Sequence, residues 1–305
     1  MIYCGIDGGG TKTHIILADD EHIIGEIITS ASAIDTVSLD EMYHVIFSAI
    51  KTICEENNIN IIDSIFIGLG GVVLQGDSQS VITSIMTMPY LDSRSIVAVD
   101  NDIMNAYEAS CSGRHNITLI VGTGAVAFGM DEYNHYHRTN GIHYKEGDFG
   151  SGYDIGVRIL ERMSKAFDGR VKHSALTKYL LEQYNIDTSS DLSVFFQHYR
   201  DNRTFVASLA IDVVKYAKNN DFHALDVLDE GAREMVLSFI GVDKNIQLQN
   251  KEVGIAGGLG NTPIYFNLIK QYILEYDSRY SVHTTDMLPV MGSLSLAKRN
   301  AIRKK

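Results

Sequence analysis

A glycine-tipped hairpin near the amino terminus, repeated in the middle of the chain, constrains the fold more than any other feature. The segment GIDGGGTKT (residues 5–13) lies between apolar runs, so it is predicted to form a β-hairpin. The segment IVGTGAVAF (residues 120–128) repeats this pattern. Each hairpin opens a β-rich stretch that continues with alternating helices and strands, which predicts a duplicated α/β fold with two lobes around a cleft.

The first hairpin has the chemistry of a phosphate cradle. Glycine lacks a Cβ and tolerates positive φ, so the amides around Gly9 and Gly10 can converge on an anion. Thr11, Lys12 and Thr13 add two hydroxyls and a positive charge. An ordinary glycine turn explains the same residues equally well. A Walker A loop and a dinucleotide fingerprint are excluded, because their spacing differs and both require a helix after the loop.

Two carboxylates at predicted strand ends are candidates for chemistry. Asp7 is placed to hold Mg²⁺ through water, as hard oxygen ligands do. Asp102 lies at a strand-to-helix junction, where a carboxylate can orient an acceptor hydroxyl and accept its proton during phosphoryl transfer. The local sequence explains Asp102 equally well as the N-cap of the next helix, and Asp100 is a rival base.

The second half of the chain contains three further candidate segments. The turn at residues 122–124 is either a second phosphate turn or a plain hairpin. The segment EGDFGSG (residues 146–152) precedes a long helix, where Asp148 either binds a polyol hydroxyl or holds the helix start. The glycines of GGLG (residues 257–260) offer open backbone to a flat adenine, or form only a strand-to-helix loop.

The composition favours small-molecule chemistry. A length of 305 residues predicts two lobes of ~150 residues, and 45% hydrophobic residues support full cores. A net charge of -12 offers no attraction to nucleic acid or to an anionic membrane. The 3 cysteines form no CxxC pair, no apolar run reaches membrane length, and no leader peptide is expected, because the sequence begins directly with a predicted strand. A soluble cytoplasmic protein is expected.

The histidines at positions 135, 137 and 143 form the only dense histidine cluster. A zinc site at His135, His137 and His143 is an alternative, but the spacing is irregular and no cysteine lies nearby. A solvated loop is therefore the favoured interpretation.

Hydrophobic periodicity and capping residues predict the individual elements. Ser38 and Glu41 are typical of a capping box at the start of the first helix, and Asp77 is a candidate N-cap for the second. The repeat begins with a strand at residues 116–121, and its third strand is predicted near residues 136–138.

The lobe boundaries follow from this repeat. The first lobe is predicted over residues 1–112, joined by the C-terminal helix at 290–305, and the second over residues 113–289. The crossover near Ser112 and Gly113 is short.

A series of motifs runs along nearly the whole chain in one order: GIDGGGTKT, VDND, IVGTGAVAFG, GDFGSGYDIG, GIAGGLGNTPIY and LPVMGSLSLA. In this order and spacing they resemble sugar kinases of the N-acetylglucosamine kinase type, within the BadF/BadG/BcrA/BcrD-type ATPases and the actin and hexokinase superfamily. The resemblance implies a duplicated ribonuclease H-like (actin-like ATPase) fold. It also implies transfer of the γ-phosphate of ATP to a sugar hydroxyl, with Mg²⁺ as cofactor.

The resemblance assigns roles to residues within these motifs. Asp102 is expected to activate the acceptor hydroxyl, and Asp7 to hold Mg²⁺ through water. The ATP phosphates are expected at Gly9, Gly10, Thr11, Lys12, Thr13, Gly122, Thr123 and Gly124, the adenosine at Gly257, Gly258 and Gly260, and the sugar at Asp102, Thr123, Gly147 and Asp148. The implied partners are a small sugar and ATP, without nucleic acid or membrane, and a homodimer is expected because relatives are often dimers.

Three departures from the family pattern affect the expected substrate. Ala33 stands where the family commonly has a sugar-binding asparagine, Phe149 replaces an acidic residue, and Tyr144 stands near a family tryptophan. The missing asparagine would admit a 3-O-substituted amino sugar such as N-acetylmuramic acid. N-acetylglucosamine is the main expectation, and a glucokinase, a glucosamine kinase or an ATPase that activates a partner enzyme are the alternatives.

Overall fold

The computed structural model describes residues 1–111, 115–199, 201–285 and 287–303. The chain divides into two compact units, the first formed by residues 1–114 and 286–305 and the second by residues 115–285. The predicted crossover at Ser112 and Gly113 lies outside the described residues.

Strands and helices are numbered along the chain. The strands are β1 (Tyr3–Gly8), β2 (Thr13–Ala18), β3 (Ile23–Thr29), β4 (Ser64–Leu69), β5 (Ile96–Asp100), β6 (Ile117–Val121), β7 (Ala125–Met130), β8 (Tyr136–Asn140), β9 (Glu252–Ala256) and β10 (Ser281–Thr284). The helices are α1 (Leu39–Asn57), α2 (Gln75–Ile85), α3 (Ile103–Cys111), α4 (Gly152–Phe167), α5 (Ala175–Gln183), α6 (Ser189–Tyr199), α7 (Arg203–Ala217), α8 (Phe222–Asp243), α9 (Pro263–Tyr276) and α10 (Pro289–Arg303).

The sheet of the first unit has the order β3-β2-β1-β4-β5. The first three strands pair antiparallel, whereas β1, β4 and β5 run parallel. Parallel strands end at the same edge of a sheet, and the register places Asp7 opposite Gly68 and Gly68 opposite Asp100. This edge therefore collects the residues that follow β1, β4 and β5.

Helices cover both faces of this sheet, which explains why β1, β2 and β4 are almost wholly apolar. Ile15 packs in a cluster with Ile46 and Ile50 of α1, whereas its neighbour Ile16 packs with Leu294 of α10 on the other face. Successive side chains of a strand point to opposite faces, so a strand covered on both sides reads as a continuous apolar run.

The C-terminal helix α10 lies against β1 and α3 at close range. A Cβ on Gly5 would lie 2.5 Å from the Leu294 amide nitrogen, and a Cβ on Gly292 would lie 2.0 Å from the Asn105 carbonyl oxygen. Glu108 of α3 is buried and accepts a hydrogen bond from Ser295 at 2.8 Å. Residues from the two ends of the sequence therefore share one core.

The second unit repeats the connectivity of the first. Its sheet order is β10-β9-β6-β7-β8, with β6, β7 and β8 antiparallel and β6, β9 and β10 parallel. The glycine-tipped hairpin β6–β7 thus occupies the place that β1–β2 has in the first sheet. The prediction of a duplicated α/β fold is confirmed.

Helix α4 packs closely on α7 in the core of the second unit. A Cβ on Gly156 would lie 1.9 Å from the carbonyl oxygen of Val206, so the two helix backbones meet at this glycine. Ile155 and Ile159 of α4 are fully buried beside it.

Gly156→Ala is expected to lower the free energy of unfolding by about 3 kcal/mol, because α4 and α7 must move apart to admit a methyl group. Gly76→Ala is the matched control, since Gly76 is also helical and its Cβ would meet nothing within 4 Å. That variant is expected to gain up to about 1 kcal/mol from helix propensity. Urea denaturation followed by circular dichroism measures the stability of both variants. Equal denaturation midpoints for Gly156→Ala and Gly76→Ala would contradict the packing argument.

One local prediction needs correction, and one strand was missed. Asp77 is not the N-cap of α2 but lies in its first turn, where its carboxylate accepts the amides of Val73 and Leu74 at 3.1 and 2.8 Å. Strand β10 was not predicted, because its 4 residues carry no apolar run. By contrast, Ser38 caps α1 as predicted and accepts the amide of Glu41 at 3.2 Å. None of the helices in the described ranges is both long and apolar enough to cross a membrane.

Candidate active site

The tip of the β1–β2 hairpin presents backbone donors. The Gly9 amide donates to the Lys12 carbonyl at 3.0 Å, which closes the turn. In the part of the chain that the structure describes, no hydrogen bond engages the amides of Gly10, Thr11 and Lys12, and the side chains of Thr11 and Lys12 are exposed. Amides grouped in this way, beside an ammonium group, suit the oxygens of a phosphate.

Thr13 is not part of this tip. Its side chain is fully buried, and its Oγ1 lies 2.7 Å from both the Ser30 carbonyl oxygen and the Ser32 hydroxyl. The hydroxyl ties the base of the hairpin to the segment after β3, so the expectation that it contacts a phosphate is not met.

Asp7 lies at the carboxyl end of β1, next to α3. Asn105 donates from Nδ2 to Asp7 Oδ1 at 2.8 Å and to the Ile6 carbonyl at 3.2 Å. Burial raises the pKa of Asp7, although the hydrogen bond from Asn105 and the nearby His14 and Lys12 oppose that shift. Asn105 Oδ1 is buried and, among the described residues, has no hydrogen-bond partner. A desolvated carboxylate beside an unpartnered amide oxygen fits a hard cation such as Mg²⁺ or its bound water.

Asp102 follows β5 and is partly exposed. A Cβ built on Gly70 would lie 3.6 Å from Asp102 Oδ2 and 3.0 Å from the Cβ of Ala33. The Gly70 amide donates to the Gly8 carbonyl at 2.8 Å. Gly70 therefore lies next to the carboxylate of Asp102 and next to the base of the first hairpin. It also lies next to Ala33, the position where the family pattern expects an asparagine.

The residue before Asp102 also accepts a backbone amide at the start of α3. Asn101 Oδ1 accepts the amide of Ile103 at 3.1 Å, and Asn101 Nδ2 donates to the Val72 carbonyl at 2.9 Å. Asp100, the rival base, is exposed at the end of β5 and accepts the Asn101 amide at 2.7 Å. The capping role of Asn101 was not predicted, although an asparagine just before a helix is a recognisable signal.

The second glycine turn is built onto the start of α4. The amide of Gly152 donates to the Gly122 carbonyl at 2.8 Å, and that of Tyr153 donates to the Thr123 carbonyl at 3.2 Å. A Cβ on Gly122 would meet nothing within 4 Å. Within the described residues the amides of Thr123 and Gly124 make no hydrogen bond, so this turn also offers open backbone and free donors.

The loop after β9 meets the same turn. The amides of Leu259 and Gly260 both donate to the Val121 carbonyl, at 3.2 and 3.0 Å. Gly257 has φ +94, and its Cβ would lie 2.4 Å from that carbonyl oxygen, so only glycine fits there. At Gly258 a Cβ would meet nothing within 4 Å, which leaves an open surface on which a flat base can lie.

Asp148 lies beside the second turn. Its side chain is buried, and its Oδ2 would be 2.6 Å from a Cβ on Gly124. Gly147 is buried, and its carbonyl accepts the amide of Gly141 at 2.6 Å, which closes the loop that carries Asp148. The second unit therefore brings together the predicted turn, the predicted adenosine loop and the predicted sugar carboxylate.

One residue at this place was missed by the sequence analysis. Arg203 pairs with Asp148 at 3.0 Å, but it lies 55 residues away in a segment without a motif.

The histidine loop does not assemble a metal site. His135 lies against Asp131, and His143 pairs with Glu146. No group of 3 or more histidine, cysteine, aspartate and glutamate side chains that could hold a metal ion occurs among the residues that the structure describes. The zinc alternative therefore has no structural support.

Two named kinases are similar to this chain over most of its length. An N-acetylmuramic acid/N-acetylglucosamine kinase of Clostridium acetobutylicum is 28% identical over 266 residues, which is 86% of each chain. An N-acetyl-D-glucosamine kinase of Dictyostelium discoideum is 26% identical over 97% of each chain.

A solved structure and a family match extend the comparison. The crystal structure of a Chromobacterium violaceum protein, provisionally named an N-acetylglucosamine kinase, superposes with a TM-score of 0.77 at 20% identity, covering 97% of this chain and 98% of that one. At this identity the likeness is one of fold. Residues 4–294 match the BadF/BadG/BcrA/BcrD ATPase family, and because this match spans nearly the whole sequence, the chain belongs to that family.

Proposed function

We propose that the protein is an ATP-dependent kinase that transfers the γ-phosphate to a hydroxyl of an amino sugar. One observation in the first unit carries the proposal. Gly70 donates its amide to the Gly8 carbonyl at 2.8 Å, and its Cβ position lies 3.6 Å from Asp102 Oδ2. A carboxylate that can accept a proton therefore lies at the same sheet edge as a hairpin with free amides.

The relatives support an N-acetylated amino sugar as the acceptor. Both kinases in the comparison are named for N-acetylglucosamine, and one is also named for N-acetylmuramic acid. Ala33 favours this second acceptor as well: it is buried, its Cβ would lie 3.0 Å from a Cβ on Gly70, and an asparagine in its place would occupy more space. N-acetylglucosamine is the primary substrate in the proposal, and N-acetylmuramic acid is the second candidate.

The mechanism assigns each group one task. Asp102 orients the acceptor hydroxyl and accepts its proton as the hydroxyl oxygen bonds to the γ-phosphorus and the bond to the β–γ bridging oxygen breaks, which releases ADP. The hairpin amides and Lys12 stabilise the phosphate oxygens, and Asp148 orients the sugar. Asp7 and Asn105 would hold Mg²⁺, which when bound neutralises charge on the phosphates.

Activation of a partner redox enzyme by ATP hydrolysis is the competing function. A cluster shared with a partner would need accessible cysteine ligands, whereas Cys4 and Cys54, the two cysteines whose burial the structure describes, are fully buried. The sugar kinase is therefore the better supported proposal.

ADP release measured with a panel of sugars tests the function. We expect turnover with N-acetylglucosamine, weaker turnover with N-acetylmuramic acid, and little with glucose, glucosamine or N-acetylmannosamine. ATP without sugar is the control, and its hydrolysis should be slow because water is a poorly positioned acceptor. ATP hydrolysis that no sugar of the panel stimulates would overturn the proposal.

A further inference from the structure

An arginine without any motif lies at the second glycine turn. Arg203 is the first residue of α7, and its Nη2 donates to Asp148 Oδ2 at 3.0 Å. The exposed fraction is 6% for the side chain of Asp148 and 47% for that of Arg203. The pair therefore has a buried carboxylate end and a guanidinium end that reaches solvent.

The position of the guanidinium group is defined by several contacts. A Cβ on Gly124 would lie 2.6 Å from Asp148 Oδ2 and 2.8 Å from Arg203 Nη2, so glycine is required at the turn for the pair to lie there. Arg203 Cζ lies 5.4 Å from the ring centroid of Tyr144. Tyr144 in turn packs edge-on against Tyr153 of α4, with the ring centroids 4.9 Å apart. The turn, the loop before α4 and the start of α7 thus all position one side chain.

A buried carboxylate needs a partner of this kind. Removing an ion from water is costly unless another charge or several hydrogen bonds compensate for the lost hydration. Arg203 engages Oδ2 of Asp148, and a carboxylate has about four acceptor positions on its two oxygens. The remaining positions can accept sugar hydroxyls, while the charge and the direction of the carboxylate are maintained by the arginine.

We propose that Arg203 is a positioning residue for the acceptor sugar, which acts through Asp148 by holding its carboxylate against Gly124. The proposal rests on the kinase function proposed above and extends it, because it assigns part of the sugar affinity to α7. In this role Arg203 does not contact the transferred phosphoryl group. Its removal should therefore affect the sugar and not ATP.

A second ion pair connects the same two regions and provides a matched control. Lys145 Nζ lies 2.7 Å from Asp201 Oδ1, so it also joins the loop before α4 to the approach of α7. The exposed fractions of these side chains are 40% and 60%, and such a surface pair contributes little. Lys145→Gln removes one charge pair from this region without touching Asp148.

Steady-state kinetics of Arg203→Gln test the proposal. The KM for sugar should rise by about tenfold to a hundredfold, the same range as the loss in affinity when the outer hydrogen-bond partner of a metal ligand is removed. The kcat and the KM for ATP should change by less than about threefold, because the weakened contact to the sugar is made equally in the ground state and in the transition state. Arg203→Lys should recover part of the sugar affinity, since it keeps the charge but not the planar geometry. Lys145→Gln should behave as the wild type.

A double-mutant cycle shows whether Arg203 acts through Asp148. If it does, Asp148→Asn combined with Arg203→Gln should have the same sugar KM as Asp148→Asn alone, because the two residues act as one unit. If the increase in sugar KM of the double variant equals the product of the increases in the two single variants, the residues act independently and the proposal is overturned. A fall in kcat with an unchanged sugar KM would also overturn it and would place the arginine on the phosphoryl group.

Wild-type turnover, measured first, separates this proposal from the proposed function. If the wild type phosphorylates a sugar and Arg203→Gln has the same sugar KM, only the positioning role is overturned. If the wild type phosphorylates no sugar, both are overturned. Thermal unfolding of each variant shows whether it is folded. If Arg203→Gln does not fold, the sugar KM of Arg203→Lys tests the proposal in its place.

Discussion

Asp102→Asn is expected to lower kcat for sugar phosphorylation by about 10²- to 10⁴-fold, the range that a general base contributes. Asparagine has nearly the same shape as aspartate but cannot accept the hydroxyl proton. The helix that follows should be undisturbed, because Asn101 already accepts the Ile103 amide at 3.1 Å. ADP release with saturating ATP and sugar measures the loss, and calorimetry of ATP binding should show an unchanged affinity.

Asp100→Asn is the control for this prediction. Asp100 lies two residues earlier at the exposed end of β5, so its substitution removes the same charge from the same sheet edge. This variant should keep most of its turnover. Activity retained by Asp102→Asn would remove Asp102 from the role of base, and activity lost only in Asp100→Asn would transfer that role to its neighbour.

Asp7→Asn is expected to lower kcat/KM for MgATP by about 100-fold or more, because a bound Mg²⁺ contributes several kcal/mol to stabilising the transferred phosphoryl group. The amide oxygen of the new side chain can still accept from Asn105, so the local structure should persist. What is lost is the negative charge that holds the cation. Titration of activity with MgCl₂ measures this effect, which appears as a higher Mg²⁺ requirement or as complete inactivity.

The same substitution should leave the nucleotide-free protein at least as stable as the wild type. Burial raises the pKa of Asp7, so the folded state favours the protonated form more than the unfolded state does. Stability from such a group is fully present below the ordinary carboxyl pKa and is lost as the pH rises through the raised pKa. At neutral pH the ionised carboxylate is therefore unfavourable, and asparagine removes that cost.

Thermal unfolding at pH 7 without nucleotide checks the second part of this prediction. Glu21→Gln is the control, because Glu21 is an exposed carboxylate in the turn after β2 and its loss changes the net charge equally. A marked loss of stability in Asp7→Asn, or full activity with MgATP, would contradict the role given to Asp7.

Much of this protein could be predicted from short-range pattern. Apolar runs and glycine placement predicted both hairpins, and the strand predicted at residues 116–121 is observed as β6 (Ile117–Val121). The order of motifs predicted the family, which the match over residues 4–294 confirms. These features are local, because the alternation of side chains along a strand and the freedom of glycine at a turn act within a few residues.

The tertiary structure alone decided which side chains meet. Thr13 follows Lys12 directly, yet its hydroxyl points to Ser32 because the strand after the hairpin is covered on both faces. Arg203 reaches Asp148 across 55 residues of sequence, and no periodicity in either segment indicates that contact. Local sequence thus determined the elements and the glycine turns, whereas the long-range partners of buried carboxylates depended on how distant segments pack, since a buried carboxylate needs a counter-charge or hydrogen-bond donors to replace its lost hydration.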